Sequence, residues 1–290
     1  MGVSGEIVWS LTDDKVKVYG FLKRADRVKD IAVLFIHGSG GDIFWDELLN
    51  ASEILVANGI TFLALEDRGS SIIRRVYRIG HNAVIAGSAY EGMDSVKDIS
   101  SAFKFLKKEG YKHIFLIGHS KGCQKVLYYN KKNRINGAYG IVLLSPDDIG
   151  EYIHSHYGIR LPLVKWYYKL VNTIIKNPEY LVTNKWLGTL SLRSIISILD
   201  ERSVERRIIN YNSIEFSYFF SVTVPLLVVF GGKDEFLIQH KPEYYIDRIR
   251  ESSKGWVTGV KIENATHSFE NKMGEVFEQI TNFIESVMNG

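Results

Sequence analysis

The feature that most limits how this chain can fold is a rhythm. Continuous apolar runs, IAVLFIH (31–37), TFLAL (61–65), HIFLIG (113–118), AYGIVLLS (138–145) and VPLLVVFGG (224–232), end at glycines or polar turns. Most give way to stretches of helical period. A strand that is apolar at every position is buried on both faces, and helices covering both sides of a sheet achieve this. Helical spacing fills DELLNASEILVANG (46–59), SVKDISSAFKFLKKEG (95–110), CQKVLYYNKKN (123–133), a stretch near 240–251 and MGEVFEQITNFIESVM (273–288). The first two close on glycine, a good helix C-cap. EIVWS and KVKVYGFL read as an opening strand pair, and WVTGVKIENA (256–265) as a late strand. Alternating units of this kind imply an α/β fold, with a mostly parallel central sheet and helices on both faces.

The rhythm breaks once. Between about 150 and 220 the sequence reads as helices with no strand between them, including LPLVKWYYKLVNTIIKNPEYLV and SLRSIISILDERSVERRIINY. The expected organisation is a core domain from 1–149 and 221–290, with 150–220 inserted as a helical cap over the C-terminal sheet edge, where ligands bind in such folds. The insert carries Tyr152, Tyr157, Trp166, Tyr167, Tyr168, Tyr180 and Trp186. These rings either build a small core of its own or roof a site. The excursion at 67–92 is a second candidate wall. Its Arg68, Arg74, Arg75 and Arg78 read as a solvated loop surface or as contacts to an acidic substrate.

Composition excludes several function classes. A net charge of +3, with Lys and Arg scattered among Asp and Glu, leaves no basic stripe for nucleic acid. The single cysteine, Cys123, rules out an internal disulfide and points to a reducing compartment. MGVSGEIVWS lacks the charged and apolar regions of a signal peptide, and no apolar run is long enough for a membrane span. The expectation is a cytoplasmic location. Oligomeric state is not legible.

Residues 118–122, Gly-His-Ser-Lys-Gly, match G-x-S-x-G, with a strand before and a helix after. A turn this tight forces strained backbone angles on the serine and leaves no room for side chains at the flanking glycines. It projects the Ser120 hydroxyl and sets the next amide, that of Lys121, at a helix N-terminus, where it can stabilise developing negative charge. A serine is a weak nucleophile until a base takes its proton. Asp234, in GGKDE just past a strand, is the expected acid, and His267, in ATHSF before the last helix, the expected base. Glu235, Asp147 and Asp148 remain alternative acids. The loop in FIHGSGGD (35–42) follows another buried strand, and its glycines let backbone amides approach a ligand. The amide of Ser39 is the expected second oxyanion donor. Neither a phosphate-binding loop nor a dinucleotide fingerprint is present there. No metal site is expected.

HGSGG, GHSKG, GGKDE and ATHSF, in that order over nearly the whole chain, make it resemble the α/β-hydrolase superfamily. Within that superfamily, the GHSxGCQ elbow with YY on the next helix is similar to a branch that includes fungal esterases acting on siderophores. The resemblance implies a serine hydrolase without a cofactor. A carboxylesterase cleaving small or medium acyl or aryl esters through an acyl-enzyme is the expected activity. Thioesterase, amidase, siderophore-ester hydrolase and a non-catalytic ligand-binding member are the alternatives.

Overall fold

The computed structural model describes residues 3–26, 30–80, 83–90, 92–133, 137–213 and 217–290. In chain order the core elements are strands β1 (Glu6–Leu11), β2 (Val16–Lys23) and β3 (Ile31–Ile36), helix α1 (Asp46–Ala57), and strands β4 (Thr61–Glu66), β5 (Arg74–Arg78) and β6 (Val84–Ala86). Helix α2 (Val96–Lys108), strand β7 (His113–His119), helix α3 (Lys121–Lys132) and strand β8 (Gly140–Leu144) follow. Next comes the inserted block, with helices α4 (Ile149–Tyr157) and α5 (Leu161–Ile175), strands β9 (Leu181–Asn184) and β10 (Gly188–Ser191), and helices α6 (Leu192–Leu199) and α7 (Val204–Ile208). The chain ends with β11 (Leu226–Gly231), α8 (Pro242–Ser252), β12 (Val257–Ile262) and α9 (Met273–Asn289).

The main sheet runs β12-β11-β8-β7-β3-β4-β2-β5-β6, with β1 paired to β2. Pairings from β4 through β3, β7, β8 and β11 to β12 are parallel, and those of β2 with β1, β4 and β5 are antiparallel. The strands are buried throughout in the centre, and alternate residues feed two cores. Ala32, Leu34 and Ile36 join one, against α2 and α3, while Val33 and Phe35 join the other, against α1 and α9. The order of the strands matters for function. After β3 the chain goes first to β4 on one side, then to β7 on the other. That reversal opens a crevice outside the carboxyl ends of β3 and β7. The glycine loop at 37–41 and Ser120 are the residues that leave those two ends.

The inserted block has its own apolar cluster, centred on Ile153, Leu161, Tyr168, Leu192, Ile195 and Leu199. It differs from the sequence expectation in containing a two-stranded hairpin, β9 with β10. These strands are too short, and too poor in alternating apolar residues, to stand out among flanking helical periods. Ile208, Ile209, Tyr211 and Phe219 are buried in the main core and not in that cluster.

Candidate active site

The turn at Ser120 is as strained as its sequence demands. Ser120 has φ 53° and ψ −124°, a conformation costing an L-residue about 1–3 kcal/mol. A side-chain carbon on Gly118 would lie 2.5 Å from the Gly122 backbone, and one on Gly122 would lie 2.2 Å from the Ile36 carbonyl oxygen. Only glycine allows α3 to pack this close against β7 and β3. The Ser120 amide donates to the Leu144 carbonyl on β8 (2.9 Å), which anchors the turn to the sheet.

The loop after β3 comes equally close, since a side-chain carbon on Gly38 would be 3.0 Å from Ser120 Cβ. Beneath the loop lies a buried polar network. His37 Nδ1 pairs with the Gly38 carbonyl (2.8 Å) and Nε2 with Ser70 Oγ (2.7 Å). Lys125 Nζ, on α3, donates to Asp67 Oδ2 (2.8 Å), and the Ser71 amide donates to the Gly41 carbonyl (2.9 Å). The excursion at 67–92 therefore braces the glycine loop. It does not line the site cavity, among the described residues. Its arginines are engaged elsewhere or exposed. Arg68 is held by Asp14 and Asp98, Arg74 by Glu66, and Arg78 by the Asp14 carbonyl, while Arg75 is exposed.

Asp234, three residues past β11, is buried. Its Oδ1 accepts from His267 Nδ1 at 2.9 Å and from the Phe236 amide at 3.0 Å. Glu235 accepts from the His267 amide (3.1 Å). His267 Nε2 is buried without a hydrogen-bond partner among the described residues. Burial pushes the His267 pKa down, but the bond and charge of Asp234, with the charges of Asp147 and Glu235, outweigh it and leave the pKa raised. His119 Nε2 donates to the His267 carbonyl (3.0 Å), and its ring lies 5.3 Å from those of Trp45 and His267. Burial, reinforced by the charge of His267, drives the pKa of His119 down to about 4, so the ring is a neutral brace.

Ser120 Oγ does not point at His267. It donates to Asp147 Oδ1 over a long 3.4 Å. Asp147 is buried at the end of β8, and burial raises its pKa. Asp148 has a structural task, capping α4 by accepting from the amides of Gly150 (2.7 Å) and Glu151 (3.2 Å), and accepting from that of Tyr211 (3.0 Å).

Ser39, Lys121, Ser120, Asp147 and His267 all line one cavity of about 660 Å³. The inserted block supplies the facing wall, with Tyr152, Trp186, Leu187, Leu190 and Ile198. Of the aromatic residues in the insert, Tyr152 and Trp186 reach the cavity. Tyr168 belongs to the insert's own core, Tyr157 bonds to Asn184, and Trp166, Tyr167 and Tyr180 are exposed. Sequence reading missed Trp45, Gln124 and Glu205 as cavity residues. Gln124 and Glu205 sit within helices and Trp45 just ahead of one, and none of these positions carries a mark of it. Among the described residues, no group of three or more His, Cys, Asp or Glu could hold a metal ion.

No protein-family model and no curated protein matches the sequence. Solved structures do match. Est1E from Butyrivibrio proteoclasticus, in a structure with ferulic acid bound, aligns over 97% of this chain and 99% of its own at 17% identity and a TM-score of 0.66. A Paleococcus ferrophilus monoacylglycerol lipase aligns over 93% and 99% at 18% identity and 0.63. The Pyrococcus furiosus esterase Pf2001 aligns over 98% and 93% at 18% identity and 0.59. The chain has the α/β-hydrolase fold. In this α/β-hydrolase fold the cavity lies where the strand order reverses. No helix among the described residues is long and apolar enough to cross a membrane.

Proposed function

We propose that the protein is a serine hydrolase cleaving carboxylic esters. The observation that carries the reading is the His267 imidazole. Asp234 holds its Nδ1 at 2.9 Å, while Nε2 has no partner among the described residues, in a cavity it shares with Ser120. Turning the Ser120 side chain about Cα–Cβ, away from Asp147, directs its hydroxyl to the imidazole. Oγ then attacks the ester carbonyl carbon while its proton passes to Nε2. The amides of Ser39 and Lys121 bind the oxyanion of the tetrahedral intermediate. Collapse expels the alkoxide, which takes the proton from His267 and leaves an acyl-Ser120. Water repeats the sequence and releases the acid. Asp234 keeps the imidazole in the correct tautomer and stabilises its charged form. The ester and lipid-ester names among the fold's neighbours support ester over amide or thioester substrates. The sheet and its covering helices carry the chemistry, and the inserted block, drawn at 149–208, acts as a cap that shapes the acyl or aryl pocket.

The Ser120–Asp147 bond favours a second reading, a ligand-binding protein whose serine is withheld from the base. A fluorophosphonate probe separates the two. The hydrolase reading expects rapid stoichiometric labelling of Ser120 in the folded protein. No labelling, together with no turnover of short p-nitrophenyl esters, favours the binding protein.

A further inference from the structure

The cavity does not end at the reacting atoms. Helix α3 carries it onward, from Ser120 at its N-terminus to Gln124 one turn later, about 6 Å along the axis. Gln124 is only 3% exposed and lines the cavity, yet among the described residues its side-chain amide has no hydrogen-bond partner. Glu205, on α7, is 7% exposed and lines the same cavity. Its Oε2 accepts from Ser197 Oγ at 2.6 Å, and Oε1 is without a partner among the described residues. Glu205 also borders a second depression, which is lined by Tyr128 and Lys132. Those residues stand one and two turns beyond Gln124 on the same face of α3, against which α7 packs. The stretch from Gln124 to Tyr128 lies roughly 6–12 Å from Ser120 along the helix.

Among the described residues, three cations on neighbouring segments are turned elsewhere. The guanidinium of Arg206 turns towards α4, where a side-chain carbon on Gly150 would meet it at 2.9 Å. Lys132 stacks on Tyr128, and Arg193 pairs with Glu179. Among the described residues, the cavity is lined by the carboxyl groups of Asp147, Glu205, Glu235 and Glu270 and by one lysine, Lys121. An ionised carboxylate only accepts hydrogen bonds, and an amide both gives and accepts. Both side chains are themselves buried, yet they keep polar atoms open to the cavity that a complementary group of a ligand can satisfy.

We propose that Gln124 and Glu205 form a specificity subsite for a hydrogen-bond donor, an ammonium or hydroxyl group, carried by the substrate at its end away from the scissile ester. The proposal rests on the hydrolase reading of Ser120 and names the substrate class for that site: esters with a polar, donor-bearing tail rather than plain acyl chains or anionic ones. An ammonium gains from the charge of Glu205, a hydroxyl gains only the hydrogen bonds, and a carboxylate is repelled.

The test uses two sets of chromogenic esters of matched length, one with variable acyl tails and one with variable alkoxy tails. The tails end in ammonium, hydroxyl, methyl or carboxylate, about five to eight atoms from the carbonyl. In one of the two sets the ammonium-tailed ester should exceed the methyl-tailed one in kcat/KM by about tenfold, with hydroxyl between them and carboxylate last. Glu205→Gln should collapse the ammonium advantage over hydroxyl, and Gln124→Leu should lower both donor-tailed esters relative to methyl. Each readout is a ratio within one variant, so a partial loss of folded protein cancels. Equal or reversed ranking in both sets, or a ranking unchanged by Glu205→Gln, overturns the subsite. Failure of the hydrolase reading looks different, because no ester of any tail is then turned over. In that event calorimetric titration with aminoalkanols against alkanoates of the same length decides the subsite alone, and equal affinities would reject it.

Discussion

The carboxyl ends of β3, β7 and β11 and the block of residues 149–208 face each other across one cavity, but they are held in place in different ways. On the sheet side every position is over-determined. Gly118 and Gly122 permit backbone contacts that no other residue allows, Ser120 is anchored to β8, and the loop at 37–41 rests on a buried network through His37, Ser70, Asp67 and Lys125. The inserted block has a small core, and α5 is apolar on both faces. Tyr168 is buried there, while Leu163, Trp166 and Ile174 are well exposed. Reacting groups need positions fixed to a fraction of an ångström, which a packed sheet provides. A wall that selects substrates by shape and a few polar contacts tolerates a softer mount.

The contrast breaks hardest at the nucleophile. Ser120→Ala should abolish ester turnover, by roughly 10⁴-fold or more in kcat, with the fold unchanged by circular dichroism. A Ser120→Ala protein that retains turnover would move the chemistry off the sheet edge. Next comes the choice of acid. Asp234→Asn should cost roughly 10³–10⁴-fold in kcat because it favours the wrong imidazole tautomer. Asp147→Asn, which keeps an oxygen for the Ser120 hydroxyl and removes only a charge, should cost far less, and the reverse ranking in steady-state kinetics would reassign the acid.

The pH profile sharpens the same point with a smaller effect. His267 must be neutral to accept the proton, and its pKa lies above its ordinary 6.5 because the nearby carboxylates outweigh burial. kcat/KM should therefore rise with pH through an ionisation above 6.5 and be lost in acid. Asp147→Asn removes one of the raising charges and should shift that limb to lower pH. A shift to higher pH would contradict the arrangement. The sign for stability runs the other way. The raised folded pKa means that protonated His267 contributes stability at low pH, and that contribution is lost as pH climbs through the folded value.

Stability separates the two regions last. Phe115→Ala, in the sheet, should lower unfolding free energy by about 3–5 kcal/mol in denaturant melts. Leu192→Ala, in the insert's cluster, should loosen 149–208 first, seen as faster amide exchange there while the central strands stay protected. Trp166→Ala, on the exposed face of α5, should stay within about 0.5 kcal/mol. If Leu192→Ala exposes the sheet and the block together, the two are one cooperative unit.

The alternation of buried strands and helices was legible because it is local. A strand covered on both faces must be apolar throughout, and a helix with one buried face must repeat its apolar residues every three or four positions. The serine between two glycines was legible for the same reason, since the steric demand of its turn falls on neighbours in sequence. The hairpin β9–β10 was not, because short, partly exposed strands leave almost no periodic signal. Asp234, Glu235, Asp147 and Asp148 were all open as the acid, because each follows a strand of the same sheet. Only the tertiary structure distinguishes them by contact: Asp234 meets His267 Nδ1, Glu235 takes its amide, Asp147 meets the Ser120 hydroxyl and Asp148 caps a helix. Gln124 and Glu205 are more than 80 positions apart in sequence. Nothing in either segment announces the other, and the packing of α7 on α3 alone brings them to one cavity, because contact between distant segments depends on the whole fold rather than on any pattern within one of them.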